Sequence, residues 1–366
     1  MKNNNCLSII LVGCGAVSRF HYAPAIKAIA KNENIEVKAL IDPAAENLFS
    51  LAKLFPQAKP VNSLNEAEIN DLCLAVVASP PALHKEQVIY CLKKGAAVLC
   101  EKPMAANVTE AQAMVECAGK EKKLLAIGLF RRFFSSSRAL KEIISNNSLG
   151  KLISFSIHEG EKFSWNAASD SLFKKSMTPG GVLYDLGVHV LDLLFWWLGE
   201  PIELNYQDDA MGGLEANCLI ELNYPSSIKG KVQLSRDWQT QNSYTFKFEK
   251  GIVSWDVNKA NSLSITLSGM SDILDGSLQK FIKKEEGIYE YGIEDTAPQS
   301  LIAQLINVVR AMRGQEKLFI PGQEGLASLR LKERCYENRR LMHMPWLTEK
   351  ELTQAINLYK AREESK

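Results

Sequence analysis

The chain lacks the features of a nucleic-acid-binding, membrane-spanning or disulfide-built protein. Its 43 lysines and arginines face 42 aspartates and glutamates, a formal net charge of +1. No basic field is present to hold nucleic acid or an anionic membrane. No apolar run reaches the roughly 20 residues that span a bilayer; the strongest, 188–198, is interrupted by Asp192. The eight cysteines (Cys6, Cys14, Cys73, Cys91, Cys100, Cys117, Cys218 and Cys335) form no CxxC pair, and most lie in apolar runs. That pattern argues against a disulfide scaffold or a zinc site, so no metal is expected, and it favours free thiols in a reducing cytoplasm. No repeat or low-complexity tract stands out. Residues 1–12 carry one lysine and a short apolar run without an A-x-A site; they read as a first strand rather than a signal peptide.

At 366 residues, 46% hydrophobic and 23% charged, the chain has the composition of a globular protein and the length of two domains. Buried strands are expected at 8–12, 37–41, 72–77, 97–100 and 124–127, because continuous apolar runs of this length suit parallel strands covered on both faces. Helical patterns lie between them at 44–55, 85–94 (stopped by Gly95) and from Thr109, with Gln112 completing a capping box, to about 122. Strand and helix in alternation predict a doubly wound α/β sheet. After about residue 129 the pattern changes. A helix at 137–145 precedes alternating strands at 152–158, 218–224, 229–234 and 244–248, with a helix after Gly180-Gly181, which predicts a mostly antiparallel sheet with helices on one face. Helices are expected again at 299–313, at 324–342 (ended by Pro345) and at 349–361. The expected division is 1–129, 130–348 and a helical tail, 349–366.

Gly13-Cys14-Gly15-Ala16-Val17-Ser18 follows the first strand directly. In such a loop the first glycine permits a tight turn, and the second lets the backbone approach a pyrophosphate resting on a helix N-terminus. Ser18 stands where the third position usually holds Gly or Ala, and Pro24 should kink or restart the following helix. Asp42 ends the second strand. It either accepts from a ribose 2′-hydroxyl, which favours NAD over NADP because Pro43-Ala44-Ala45-Glu46 brings no Arg or Lys, or caps the next helix.

Glu101-Lys102-Pro103 sits at a strand's carboxyl end, where α/β ligand sites lie. There Lys102 can polarise a hydroxyl and relay its proton; taken alone, the tripeptide also suits a surface turn. Gly180-Gly181 leads into Asp185, His189 and Asp192. On a regular helix these three fall near one face, as an acid–base set or as a core histidine paired with Asp185. The segment 159–178, with Trp165, Lys174 and Lys175, is expected to contribute to a pocket wall.

Together these pieces resemble the Gfo/Idh/MocA family. The matching segments are GCGAVSRFH at 13–21, ASPPALH at 78–84, GAAVLCEKPM at 95–104, GLFRRF at 128–133, GGVLYDLGVHVLDLLFWWLG at 180–199 and PGQEGLASLRL at 321–331. The resemblance implies an N-terminal Rossmann domain and a C-terminal α+β domain with a large, mostly antiparallel open sheet, through which members pair as homodimers or homotetramers. It implies that Lys102, Asp185 and His189 match the active-site Lys, Asp and His. Gly13, Gly15, Ala16, Val17 and Ser18 match the pyrophosphate loop, and Ser79, Pro80, His84 and Glu101 match segments along the cofactor. Members typically read a third glycine where this chain has Val182, which reshapes the pocket mouth. The implied activity is hydride transfer between nicotinamide and a secondary alcohol carbon of a sugar, sugar derivative or cyclitol. His189 would be the base, oriented by Asp185, and Lys102 would stabilise the alkoxide; the reverse assignment makes Lys102 the base. An NAD-dependent redox-neutral glycosidase and a non-catalytic dinucleotide-binding sensor are the alternatives.

Overall fold

A computed structural model describes residues 6–164, 173–211, 213–270, 272–277 and 297–364. In chain order its elements begin with β1 (Leu7–Val12), α1 (Ala23–Ile29), β2 (Ile35–Ile41), α2 (Ala45–Ala52), β3 (Lys59–Val61), β4 (Cys73–Val77), α3 (Pro81–Lys93), β5 (Ala97–Cys100), α4 (Val108–Glu121) and β6 (Leu125–Ile127). Next come α5 (Ser135–Ser145), β7 (Leu152–Gly160), α6 (Val188–Leu198), β8 (Glu203–Asp208), β9 (Asn217–Asn223), β10 (Lys229–Ser235), β11 (Ser243–Phe248), β12 (Gly251–Asp256), β13 (Ser262–Leu267) and β14 (Leu274–Ser277). The last are α7 (Ala297–Met312), α8 (Gly322–Glu337), β15 (Arg339–Leu341) and α9 (Glu349–Glu364). Among the described residues no helix is long and apolar enough to cross a membrane.

The described residues form two compact units. The first holds 6–134, 173–178 and 297–329; the second holds 135–164, 179–277 and 330–364. In the first, six parallel strands run in the order β3-β2-β1-β4-β5-β6. This is the doubly wound Rossmann arrangement, whose strand order reverses between β1 and β4. β4 is apolar throughout and β1 is apolar but for Ser8, as suits strands covered on both faces, and Ile9, Leu11, Leu74 and Val76 lie in the core. Each such side chain stabilises the fold by about 1.5–3 kcal/mol.

α7 lies far from these strands in sequence yet packs its Leu305, Ile306, Val308 and Val309 into the same core. Polar contacts fix it there. Gln304 Nε2 donates to Ile127 O at 2.8 Å, and Arg310 and Arg313 close on the buried carboxylate of Glu33. The first unit is therefore assembled from separate stretches of chain.

The second unit is built on a nine-stranded sheet, β14-β13-β12-β11-β7-β10-β9-β8-β15. Its pairs are antiparallel except β7 with β10 and β8 with β15. One face packs on α5 and the very apolar α6. There Trp197 meets Phe246 edge-on at 5.4 Å and donates from Nε1 to Ser137 O. Alternate residues, Lys229, Lys231 and Gln233 on β10 and Ser243, Thr245 and Lys247 on β11, are exposed or half-buried.

Several expected boundaries move: α3 begins at Pro81 rather than 85, and α2 ends at Ala52 rather than 55. The helix expected from Thr109 to about 122 begins at Val108. Its cap is Asn107, whose side chain accepts from Glu110 N at 2.9 Å while Glu110 reaches back to Ala106 N. The helix placed at 324–342 stops at Glu337, because Arg339 pairs with buried Asp208 and the chain joins β8 as β15. Pro24 does restart its helix: a single wide π-turn at Ser18–Tyr22 gives way to α1, with Pro24 in its first turn. If Asn107 is the cap, Asn107→Ala should cost about 1 kcal/mol of stability and Thr109→Ala far less. Thermal or urea unfolding of the two variants checks this, and the reverse order would restore the Thr109 cap.

Candidate active site

In the first unit the glycine loop is shaped by what crowds it. Gly13 has φ +87°, and a Cβ there would lie 2.6 Å from Ser79 N. No other residue fits on either count. Gly13 N donates to Ile41 O and Ala78 N to Val12 O, so the ends of β1, β2 and β4 are tied at this point. The Asp42 carboxylate is buried behind the loop and accepts from Cys14 N at 2.7 Å and Ala44 N at 2.8 Å, with Asn47 Nδ2 also in reach. It thus caps the turn into α2, as one sequence expectation held, and also anchors the glycine loop. Ser18 is fully buried and its hydroxyl donates back to Gly13 O. Gly15, Ala16 and Val17 begin the wide turn, and Arg19 N returns to Gly15 O.

Ser79 and Pro80 lead into α3, and His84 on that helix is enclosed. Its Nε2 lies 2.7 Å from Ser79 O and its Nδ1 3.0 Å from Pro103 O. The two carbonyls favour the imidazolium, but burial outweighs them and lowers the ring's pKa below its ordinary 6.5.

Glu101 follows β5 and is buried. Tyr22 Oη, from the turn after the glycine loop, donates to Glu101 Oε1 at 2.7 Å, and Lys102 N donates to Oε2 at 2.9 Å. Burial raises the pKa of Glu101 against these donors and the Lys102 charge. Gly128, just past β6, leaves room for the carboxyl group: a Cβ there would lie 3.0 Å from Glu101 Cδ. The Lys102–Pro103 bond is cis. The half-buried His21 has its pKa lowered by burial and by the Lys102 charge. Lys102 is therefore held on both sides of its backbone, by Glu101 at its own N–H and by His84 at the next carbonyl. Tyr22 and Gly128 were missed in the sequence, since only the fold brings them to Glu101.

In the second unit Gly180-Gly181 leads to a π-turn at Leu183–Gly187 and then α6. The regular helix assumed for Asp185 and His189 is thus widened in the turn that carries Asp185. Asp185 pairs with Arg236, just past β10, and Arg236 lies over the Phe163 ring. Arg236 was not anticipated, because nothing in the sequence links it to Asp185. His189 and Asp192 are buried on α6. Beside the turn, Lys332 Nζ lies 3.7 Å from the centre of the Tyr184 ring, and burial lowers its ammonium pKa to about 7. In the first unit's segment 173–178 the Lys174 carbonyl accepts from Met177 N and Thr178 N. Trp165 lies outside the described residues. Lys102 belongs to the first unit, Asp185 and His189 to the second.

Two family models match in the order of these units. Residues 7–129 match "Oxidoreductase family, NAD-binding Rossmann fold", and residues 137–254 match "GFO/IDH/MocA C-terminal domain". The chain belongs to the Gfo/Idh/MocA family. It is 33% identical over 199 residues to glucose-6-phosphate 3-dehydrogenase of Bacillus subtilis, covering 52% of this chain and 53% of that protein. It is 29% identical over 194 residues to rhizopine catabolism protein MocA of Rhizobium meliloti, covering 52% and 56%. The chain thus spans about half the length of these relatives. Its fold is similar to that of levoglucosan dehydrogenase in complex with NADH and levoglucosan, with a TM-score of 0.80 at 16% identity over 91% of this chain and 97% of that one.

The lowered pKa of His84 has a consequence for stability. The unfolded chain takes up a proton as pH falls through about 6.5, while the folded chain keeps the ring neutral to lower pH, so its contribution is full above that value and lost as pH falls through the folded pKa. His84→Gln should flatten this acid limb relative to the unsubstituted chain. Melting temperatures of both proteins at pH 7.5 and about 5.5 check it; parallel losses would show that His84 does not titrate in this window.

Proposed function

We propose that the protein is an NAD(P)-dependent oxidoreductase that transfers a hydride between nicotinamide and a secondary alcohol carbon of a sugar, sugar derivative or cyclitol. The observation that carries this reading is the placement of Lys102. The lysine lies in the same compact unit as the glycine loop, at the carboxyl end of β5, and a buried Glu101 that also binds Tyr22 holds its backbone. Ligands of open α/β sheets bind at that end of the strands, where the strand order reverses. The cradle left by Gly13 and the helix start after it suit a pyrophosphate. Bound NAD would supply the hydride acceptor.

In the oxidative direction His189 takes the hydroxyl proton, Asp185 orients it, and Arg236 fixes Asp185 in turn. The role assigned to Lys102 is to stabilise the negative charge that develops on the substrate oxygen. Gly13, Gly15, Ala16, Val17 and Ser18 would carry the pyrophosphate, with Ser79, Pro80, His84 and Glu101 along the rest of the cofactor. Asp42 favours NAD. Its negative charge would oppose a 2′-phosphate, and no Arg or Lys follows it at once. The Bacillus subtilis relative's name supports a sugar substrate. The broad second face of the nine-stranded sheet supports a homodimer or homotetramer, and eight free thiols, six of them buried, support a cytoplasmic location.

The test is NADH appearance with NAD, and separately NADPH appearance with NADP, across sugars, sugar phosphates, nucleotide sugars and inositols. Lys102→Ala should then lower kcat by about 100-fold or more while NAD affinity stays within about threefold. Equal loss of both would remove Lys102 from the chemistry. Product formation without net NADH would replace the dehydrogenase with a redox-neutral glycosidase.

A further inference from the structure

We propose that Glu215 is a positioning residue for the candidate active site: with its neighbour Ala216 it fixes both members of the Asp185–Arg236 pair. The proposal rests on the reading of Asp185 and His189 as substrate-site groups.

Glu215 precedes β9 and is almost wholly buried, at 1% exposure. It grips the start of the catalytic turn twice. Its backbone carbonyl accepts from Val182 N at 2.9 Å, and its side-chain Oε1 accepts from Gly181 N at 2.8 Å. Gly181 O in turn accepts from Asp185 N at 3.1 Å. On the other side, Ala216 O accepts from Arg236 N at 2.9 Å. The Asp185–Arg236 ion pair closes the ring. A displacement of the Glu215–Ala216 segment therefore moves the carboxylate and the guanidinium together.

The same contact explains the two glycines. Neither has a positive φ, so turn conformation does not demand them. A Cβ on Gly181 would lie 1.9 Å from Glu215 O, and one on Gly180 2.1 Å from Tyr336 Oη. Tyr336 Oη donates to Glu215 Oε1 at 2.6 Å. The glycines are the space into which Glu215 and the tyrosine that binds it are pressed.

Burying a carboxylate this deeply is costly unless donors surround it. Besides Gly181 N and Tyr336, Arg339 Nη2 lies 3.6 Å from Glu215 Oε2 while binding Asp208. A turn needing only stability could be held by main-chain bonds alone. Here a buried carboxyl side chain sets the amide four residues before Asp185.

The test compares the full chain with Glu215→Ala, Glu215→Gln and Tyr336→Phe. Steady-state kinetics is run on the sugar found active, with amide hydrogen exchange over 180–189 in parallel. Gln keeps the Oε1 acceptor and loses the charge. Glu215→Ala should lower kcat by up to about 100-fold, the scale of an ångström misplacement, with NAD affinity unchanged and exchange at 181–186 faster by about tenfold. Glu215→Gln should stay within about fivefold of the parent kcat. Should the alanine variant fail to fold, Tyr336→Phe should lower kcat by about threefold or more without raising KM. Parent-like kcat and exchange in Glu215→Ala would overturn the proposal. So would a glutamine variant as impaired as the alanine. If no compound is turned over, the dehydrogenase reading fails, and exchange alone decides: acceleration confined to 180–189 supports the role, and unchanged exchange overturns it.

Discussion

The dinucleotide unit depends on a carboxylate taken out of water. Glu101 is buried at the end of β5, and an ionised carboxylate there is tolerable only where donors meet both oxygens. Tyr22 Oη meets one and Lys102 N the other. Each donor is thereby confined in turn. Tyr22 belongs to the turn that leaves the glycine loop, so the loop is coupled to β5. Lys102 is the residue proposed to meet the substrate oxygen with its ammonium, and its backbone N–H is fixed by Glu101. Gly128 completes the arrangement by withholding a side chain. Asp42 repeats the device at the glycine loop, and in the second unit one oxygen of buried Glu215 receives the amide of Gly181. At all three places a carboxylate orders backbone next to a residue proposed for function.

Wide turns are the second shared device. Ser18–Tyr22 and Leu183–Gly187 each contain one π-turn before a regular helix resumes, a local irregularity frequent at functional sites. In the first, Pro24 cannot donate to the regular ladder and the α-helix restarts around it. In the second, Gly187 lies against Leu183, where a Cβ would come within 2.7 Å of Cδ1. The two turns carry Tyr22 and Asp185 to Glu101 and Arg236 respectively.

Legibility in the sequence followed the physics that set each element. The strands β1, β4, β5 and β6 could be read because burial on both faces writes a nearly continuous apolar run, and β2 because its last residues, 39–41, do the same. The short edge strand β3 and the strands β8 and β12–β15 were not read. Edge pairing and one-sided burial leave a weaker pattern, and β15 exists because Arg339 finds Asp208, which is remote in sequence. At the start of α4 the Thr109–Gln112 spacing pointed to the wrong cap; Asn107 takes the Glu110 amide, and Glu110 reaches back to Ala106 N. α7 reads as an amphipathic helix, but its membership of the first unit's core depends on Glu33 and Ile127, far along the chain. In the candidate site, the lysine, the histidine and the glycine loop stood out as residue types in a pattern. The residues that hold them, Tyr22, Arg236 and Glu215, are ordinary in sequence and acquire meaning only through contacts 51 to 79 residues away for the first two and 34 for the third.

The departures from the family pattern sort themselves by the same contacts. Ser18 replaces a glycine or alanine, yet its hydroxyl turns inward onto Gly13 O, so the extra atoms lie in the loop's own interior. Val182 replaces a third glycine, yet only the first two positions are crowded, Gly180 by Tyr336 and Gly181 by Glu215. Val182 needs just its N–H for Glu215 O, and its side chain is fully buried in the core. Substitution is thus tolerated where the backbone alone makes the contact. It is barred where a neighbour occupies the place of the Cβ, which confines the constraint on this turn to the two glycines the chain retains.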